Sequence, residues 1–381
     1  MSPSAPGRGA MATAVQPVGA APPRLWLLLG DKLGDNAQIE SLARALGWPC
    51  EHKRLRFLPG YVRGKPRFGA SLHHLDLRAS DPLEPPWPDA VLTIGRRPSM
   101  AALWLRERSQ GRCKLVLVGR PKGRIEDFDL VVATPQYGVP DRENVLRLKL
   151  PLMRVEAAEL AAARDRWRSE LATLDRPLTA VLIGGPTGPY RFDAAAARRL
   201  FAAVRHATSQ APGSCYFCTS RRTPAAFVSA LEAVRPASAR LYRWSPESGV
   251  NPYHGLLALA DRFVVTGDSL SMIVEAARLG RPLLIYDPPK RRFATARLVH
   301  EIGRRAHAAG SARRDGPLAR LAASGLLGYA RDLGALHRAL FEAGLARPLG
   351  DGFAPPAAAA PDELPLVVER VRALFPCGTE G

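Results

Sequence analysis

The sequence predicts an α/β protein made of two Rossmann-type domains whose parallel sheets face a central cleft. Three observations lead there. From Arg24 onward short apolar runs alternate with longer helical stretches, the rhythm of parallel βαβ units whose strands are buried on both faces. That rhythm breaks at Asp175-Arg176-Pro177 and then restarts. The length, 381 residues, exceeds what one core holds at roughly 150 residues per domain.

The elements follow in order. "RLWLLL" passes through "GDKLGDN" into the helix "AQIESLARALG", and "AVLTIG" passes through "RRPS" into "MAALWLRERS". "KLVLVG" and "LVVATP" come next, and the helix "VEAAELAAARDRWRSEL" closes a first domain over residues 23–174. After the break, "TAVLIGG" feeds "PTGPYRF" and a helix from Asp193, "CYFCTS" feeds "RRTP" and "AAFVSALEAV", and "RFVVTG" feeds the helix in "DSLSMIVEAARLG" before "PLLIYD". The second domain is taken as 175–349, with 288–349 read as helical. A Gly/Pro/Ala linker at 350–361 leads to an amphipathic helix within 362–376. Residues 1–22 are small, Pro-rich and without periodicity, so a disordered leader without the apolar core of a secretory signal is expected.

Composition narrows the function classes. The hydrophobic fraction of 46% and charged fraction of 23% are those of a globular protein, and no apolar run approaches the ~20 residues of a membrane span. The net charge of +19, from 54 Lys and Arg against 35 Asp and Glu, is spread along the chain. Such a field favours phosphates, anionic lipid surfaces or nucleic acid; an arginine- and alanine-rich coding style produces the same excess. No recognition motif or aromatic platform accompanies the charge, so nucleic acid is not an expected partner. Cys215 and Cys218 form a lone C-x-x-C on a strand, where positions three apart point to opposite faces, and no second pair completes a metal site. No metal is expected, and the cysteine usage fits a reducing compartment.

In open parallel sheets ligands bind beyond the carboxyl ends of the strands, so candidate residues are sought there. In the first half the turn Gly30-Asp31-Lys32-Leu33-Gly34-Asp35-Asn36 opens onto a helix N-terminus but matches neither a dinucleotide fingerprint nor a Walker loop. Its aspartates, Asp31 and Asp35, would repel a phosphate unless one serves as a base or grips a hydroxyl; an N-cap at Asp35 or Asn36 is the plainer reading. In the second half Gly184, Gly185 and Thr187 follow a buried strand, with glycines expected to leave space for a ligand. Ser220, Arg221 and Arg222 follow the next, offering guanidinium forks suited to phosphate; alternatively Thr223 caps the next helix and the arginines face water. At the third junction Gly267, Asp268, Ser269, Ser271 and Glu275 lie at a strand-to-helix handover. Asp268, Ser271, Glu275 and Arg278 share one helical stripe. Facing a cleft, that stripe holds a diphosphate near Ser269 and a ribose at Glu275; facing water, it is a cap and a solvated charge.

Taken together, "GDKLGDNAQ", "GRRPSMAALWLR", "LIGGPTGPYRF", "TSRRTP", "NPYHGLLALADRFVVTGDSLSMIVEAARLGRPLLIYD" and "LHRALFEAGLARP" resemble the mitochondrial fission (elongated mitochondria) family, in the form of its bacterial-type members. The resemblance runs from about Arg24 to Pro348. Plant members of that family are peripheral proteins of the mitochondrial outer membrane that bring a dynamin-related GTPase to fission sites. The family is also distantly similar to GT-B glycosyltransferases, in which a Gly-Ser/Thr turn meets the donor diphosphate and a helix glutamate meets the ribose; Gly267, Ser269, Ser271 and Glu275 occupy such a pattern here.

The resemblance implies a GT-B-like pair of domains, acceptor side first and nucleotide-sugar side second. It implies a metal-independent glycosyltransferase using a nucleotide-diphospho-sugar as substrate, with no separate cofactor, on a membrane-associated or envelope acceptor. Arg221, Arg222 and the helix end would neutralise the leaving diphosphate, and Asp31 or Asp35 would be the base. The alternative is a non-catalytic, membrane-peripheral adaptor that recruits a dynamin-like GTPase. Either reading places the protein in the cytoplasm, peripheral on an anionic membrane surface, or on the mitochondrial outer surface in a eukaryote.

Overall fold

The computed structural model describes residues 21–63, 68–120, 125–247, 249–290 and 331–376. Residues 1–20 of the expected leader and 291–330 of the expected helical segment lie outside the described residues.

The first sheet contains β1 (Leu25–Leu29), β2 (Cys50–Arg54), β3 (Ala90–Ile94), β4 (Lys114–Val118), β5 (Leu130–Ala133) and β6 (Val145–Arg147). All neighbours pair in parallel in the order β2-β1-β3-β4-β5-β6. Every residue of β1 and β3 is buried, because α1 (Leu33–Leu46) and α3 (Arg96–Arg108) both pack on these strands. That double coverage is why the strands read as unbroken apolar runs. A short α2 (Pro59–Arg63) follows β2.

The second sheet contains β7 (Thr179–Ile183), β8 (Cys215–Thr219), β9 (Arg240–Tyr242), β10 (Arg262–Thr266), β11 (Leu283–Tyr286) and β12 (Arg347–Pro348). Its order is β12-β11-β10-β7-β8-β9, again all parallel. The helices here are α5 (Ala194–Thr208), α6 (Ala225–Val234), α7 (Tyr253–Leu259), α8 (Leu270–Ala277) and α9 (Leu333–Glu342). Each sheet reverses its strand order once, between β1 and β3 and between β7 and β10, and such switch points open crevices at the strand ends. Cavity-lining residues from both domains meet in one space, so two Rossmann-type domains with parallel sheets share a cleft.

Among the described residues two segments cross between the domains. The helix read from the sequence as the last of the first half, α4 (Ala157–Leu171), packs on α7, with Leu171 in the second domain's core and Leu160 and Trp167 against it. Trp167 lies where a side chain on Gly255 would have to go, since a Cβ there would fall 2.8 Å from the Trp167 Cβ. The C-terminal helix α10 (Leu364–Arg372) returns to the first domain: Leu364, Val367 and Val371 join Ile39, Leu42 and Leu46 of α1 in one core. Arg278 fastens both crossings. Its Nε donates to the Met153 carbonyl at 2.9 Å, and its two terminal nitrogens donate to Pro361 and Pro151 at 3.0 Å each.

Among the described residues no helix is long and apolar enough to cross a membrane. Within the same residues no three His, Cys, Asp or Glu side chains gather as a metal site. Cys218 is buried on β8 and its thiol is pushed up to about 12 by burial.

Candidate functional site at the interdomain cleft

The site begins at the second domain's switch point. Thr266 ends β10 and Gly184 follows β7, and the Gly184 N–H donates to Thr266 Oγ1 at 2.8 Å. Asp268 is only 2% exposed. Its carboxylate accepts from the Gly185 N–H at 2.8 Å and from the Thr266 hydroxyl at 2.7 Å, and pairs with the Arg222 guanidinium at 3.2 Å. Burial pushes its pKa up, and these bonds work against that rise.

This arrangement corrects one expectation. The glycines do not hold space open for a ligand, because the protein fills it. A Cβ on Gly184 would lie 2.7 Å from Asp268 Cγ, one on Gly185 would run into the Arg222 backbone, and one on Gly267 would lie 2.7 Å from His337 Cε1. The Ser220 hydroxyl is also committed, donating to the Gly184 carbonyl at 3.0 Å. Thr223 is not a helix cap; its hydroxyl accepts from the Ser220 N–H at 2.9 Å and donates to the same Gly184 carbonyl at 2.6 Å. The turn after β7 is therefore knitted to the turn after β8 by side chains whose types suggested phosphate binding.

What remains open toward the cleft is a smaller set. Thr187, Arg221, Arg222, Asp268, Ser269 and Ser271 line it from the second domain. Arg221 is exposed and has no ion pair or hydrogen bond among the described residues. Arg222 donates to the Thr187 hydroxyl as well as pairing with Asp268. Ser269 precedes the first residue of α8, yet its hydroxyl caps no helix N–H. Ser271 approaches Gly34 of the first domain, whose Cβ would lie 3.9 Å from the Ser271 Cβ.

The polar stripe of α8 faces neither bulk water nor the cleft along its whole length. Ser271 reaches the cleft, whereas Glu275 is absent from its lining and accepts a hydrogen bond from the Tyr253 hydroxyl of α7. Burial raises the Glu275 pKa to about 7, with the Tyr253 bond opposing the rise and the neighbouring Glu159 adding to it. Arg278 goes to the interdomain carbonyls. The ribose role expected for Glu275 is thus not supported by its position; its partner is protein.

On the first domain's side, Asp31 and Asp35 both line the cleft. Neither Asp35 nor Asn36 caps α1, since the residue preceding the helix is Lys32. The Asn36 side chain instead exchanges two 3.0 Å bonds with the Gly30 backbone, closing the turn. Asp35 keeps only a loose pair with Lys32 at 3.8 Å, and its side chain is 34% exposed. Burial raises its pKa, partly offset by Lys32 and Arg331. Asp31 is more exposed, at 48%, and lies 3.9 Å from Arg97. Between the turn after β1 and the turn after β3 lies a cavity of about 210 Å³, lined by Asp31, Lys32, Asp35, Arg96 and Arg97 among others. Sequence reasoning passed over Lys32, Arg96 and Arg97 as site residues. The available signal was positional: Gly95-Arg96-Arg97 follows a fully buried strand just as the chosen turns do.

The chain is 27% identical over 221 residues to the mitochondrial fission protein ELM1 of Arabidopsis thaliana, covering 52% of this chain and 51% of that protein, so it spans about half the length of that relative. It is 23% identical over 300 residues to an uncharacterized protein of Rickettsia prowazekii, covering 70% of this chain and 83% of that one. Among solved structures, the UDP-GlcNAc 2-epimerase of Methanocaldococcus jannaschii aligns with a TM-score of 0.49 at 11% identity, over 92% of this chain and 99% of that one. MurG of Acinetobacter baumannii aligns with a TM-score of 0.39 at 13% identity, over 92% and 100%. At such scores nothing about chemistry follows. The family model for mitochondrial fission ELM1 matches residues 34–315, which takes in α1 from its second residue, the glycine turn after β7 and the α8 junction, and the chain accordingly belongs to the mitochondrial fission ELM1 family.

Proposed function

We propose that this chain is a metal-independent glycosyltransferase that binds a nucleotide-diphospho-sugar in the interdomain cleft. The observation that carries the reading is that one cleft is lined by the carboxylate of Asp35 from the first domain and by the exposed guanidinium of Arg221 and its neighbour Arg222 from the second. Burial makes Asp35 a stronger base than an ordinary carboxylate, which suits it to take the proton of an acceptor hydroxyl. As that oxygen bonds to the sugar carbon, the bond from that carbon to the diphosphate oxygen breaks and the electron pair leaves with the diphosphate. Arg221 and Arg222 stand where that charge would develop. Asp31 is the more exposed of the two carboxylates and lies 3.9 Å from Arg97.

The test is a thermal-shift screen against UDP-, GDP-, ADP-, CMP- and dTDP-sugars at fixed moderate salt. A ligand that binds only the folded form at a hundredfold excess over its Kd adds about 2.7 kcal/mol. The expected result is a selective shift, lost in Arg221→Ala and retained in Asp35→Asn, with Asp35→Asn losing turnover by roughly a hundredfold or more. No shift with any donor at millimolar concentration would overturn the reading.

One observation favours a second reading. Asp268 fills the space beside Gly184 with a carboxylate, where a donor phosphate would otherwise approach. A non-catalytic adaptor that keeps the fold and recruits a dynamin-like GTPase at a membrane surface would show such a filled turn. Capture of that GTPase, unaffected by any nucleotide-sugar, would favour the adaptor.

A further inference from the structure

We propose that the first domain's half of the cleft is a second anion subsite, which takes the phosphoryl group of a phosphorylated acceptor while the neighbouring carboxylates take its hydroxyl. The inference rests on the donor assignment above and names the acceptor class that would complete it.

The cavity at the β1/β3 switch point is built by two turns that bring opposite charges into one small volume. Lys32 stands on one rim with its side chain 70% exposed. On the other, the Arg97 guanidinium lies over the Phe57 ring at 5.1 Å and that of Arg96 over the Phe68 ring at 5.7 Å. Phe57 and Phe68 are themselves buried. Each arginine is therefore supported from beneath by a fixed aromatic face, so less side-chain freedom is lost when its fork meets an anion.

The surroundings add more positive charge. Arg331 lines the same cleft. Burial lowers the pKa of Arg120, and repulsion from Arg331 and Arg96 lowers it further; Arg96 is lowered by burial and by Arg97. The two carboxylates set the rest of the ligand. Asp31 and Asp35 exclude a phosphoryl group from their own side of the cavity and accept hydrogen bonds from a hydroxyl instead. A phosphate ester with a free hydroxyl nearby satisfies both sides at once; a bare carboxylate or a neutral sugar satisfies only one.

The phosphoryl group could belong to a soluble phosphate ester or to a lipid headgroup, and two probes separate these. Glycerol 3-phosphate is titrated calorimetrically into the full chain with and without saturating UDP, and the chain is co-sedimented with phosphatidylcholine vesicles with and without phosphatidate. The variants are Arg97→Gln and the exposed Lys32→Gln, with Arg168→Gln on α4, 66% exposed and outside the lining of both cavities, as a charge control. We expect glycerol 3-phosphate to bind in the presence of UDP and to weaken about tenfold in Arg97→Gln and severalfold in Lys32→Gln, but not in Arg168→Gln. Phosphatidate-dependent sedimentation lost in the same two variants would assign the group to a headgroup; binding of glycerol 3-phosphate alone would assign it to a soluble ester. Competition between UDP and glycerol 3-phosphate for one site would overturn the proposal. So would equal behaviour of Arg97→Gln, Lys32→Gln and Arg168→Gln in both arms. If UDP does not bind, the donor reading fails by itself, and the loss or retention of glycerol 3-phosphate affinity in the variants still decides this one.

Discussion

Replacing Glu275 by glutamine removes one titration and little else, because the amide oxygen still accepts the Tyr253 hydroxyl. In the folded protein burial raises this carboxyl from 4.5 to about 7. The sign follows from linkage: a raised folded-state pKa gives a contribution that is fully present below about 4.5 and is lost as pH climbs through about 7. Above that the wild type carries the whole cost of a buried charge, and the glutamine variant does not. At ~1.4 kcal/mol per pH unit the cost is roughly 3 kcal/mol. A domain of this size gains roughly 2–4 °C per kcal/mol, so the variant's second-domain transition should exceed the wild type's by about 5–10 °C near pH 8. The two should converge near pH 5. Parallel thermal unfolding of both proteins across that range measures it. A difference that does not change with pH, or a variant less stable than wild type at pH 8, would refute the assignment of Glu275 to a dry site beneath α7.

Two further outcomes follow from the packing. Gly185→Ala should destabilise by about 2–3 kcal/mol or more, since its methyl meets backbone that cannot move aside, whereas Gly188→Ala, strained by its φ of 61° but in open space, should cost about 1 kcal/mol; chemical denaturation of the pair gives the contrast. Arg278→Met removes three charged donors from the carbonyls of both interdomain crossings, so a loss of about 2–4 kcal/mol is expected. Hydrogen exchange should report it as faster opening at the amides of Leu150, Leu152, Met153 and Asp362, which flank the bonded carbonyls, than in the sheet strands.

The sequence by itself determined the architecture. Strands such as "LWLLL", "AVLTI" and "TAVLI" are apolar throughout because parallel strands with helices on both faces have no polar side, and that signature is local. It also located the strand ends, which are legible from the same pattern. It did not determine which side chains at those ends are free. Asp268, Ser220 and Thr223 stand at the strand ends where a ligand was expected, yet tertiary contact commits them to Gly184 and Gly185, which lie 36 to 83 positions away along the chain. Glu275 and Arg278 follow the helical period of Ser271, but Tyr253 on α7 and three carbonyls at the domain crossings decide where they point. Conversely, Arg96 and Arg97 read from the sequence only as part of the connection "RRPS", and the tertiary packing that sets Phe57 and Phe68 beneath them brings them to the wall of a cavity. Apolar periodicity is written within one element, whereas the satisfaction of a buried polar group depends on what a distant segment brings to it, and for this chain that was decided by the fold.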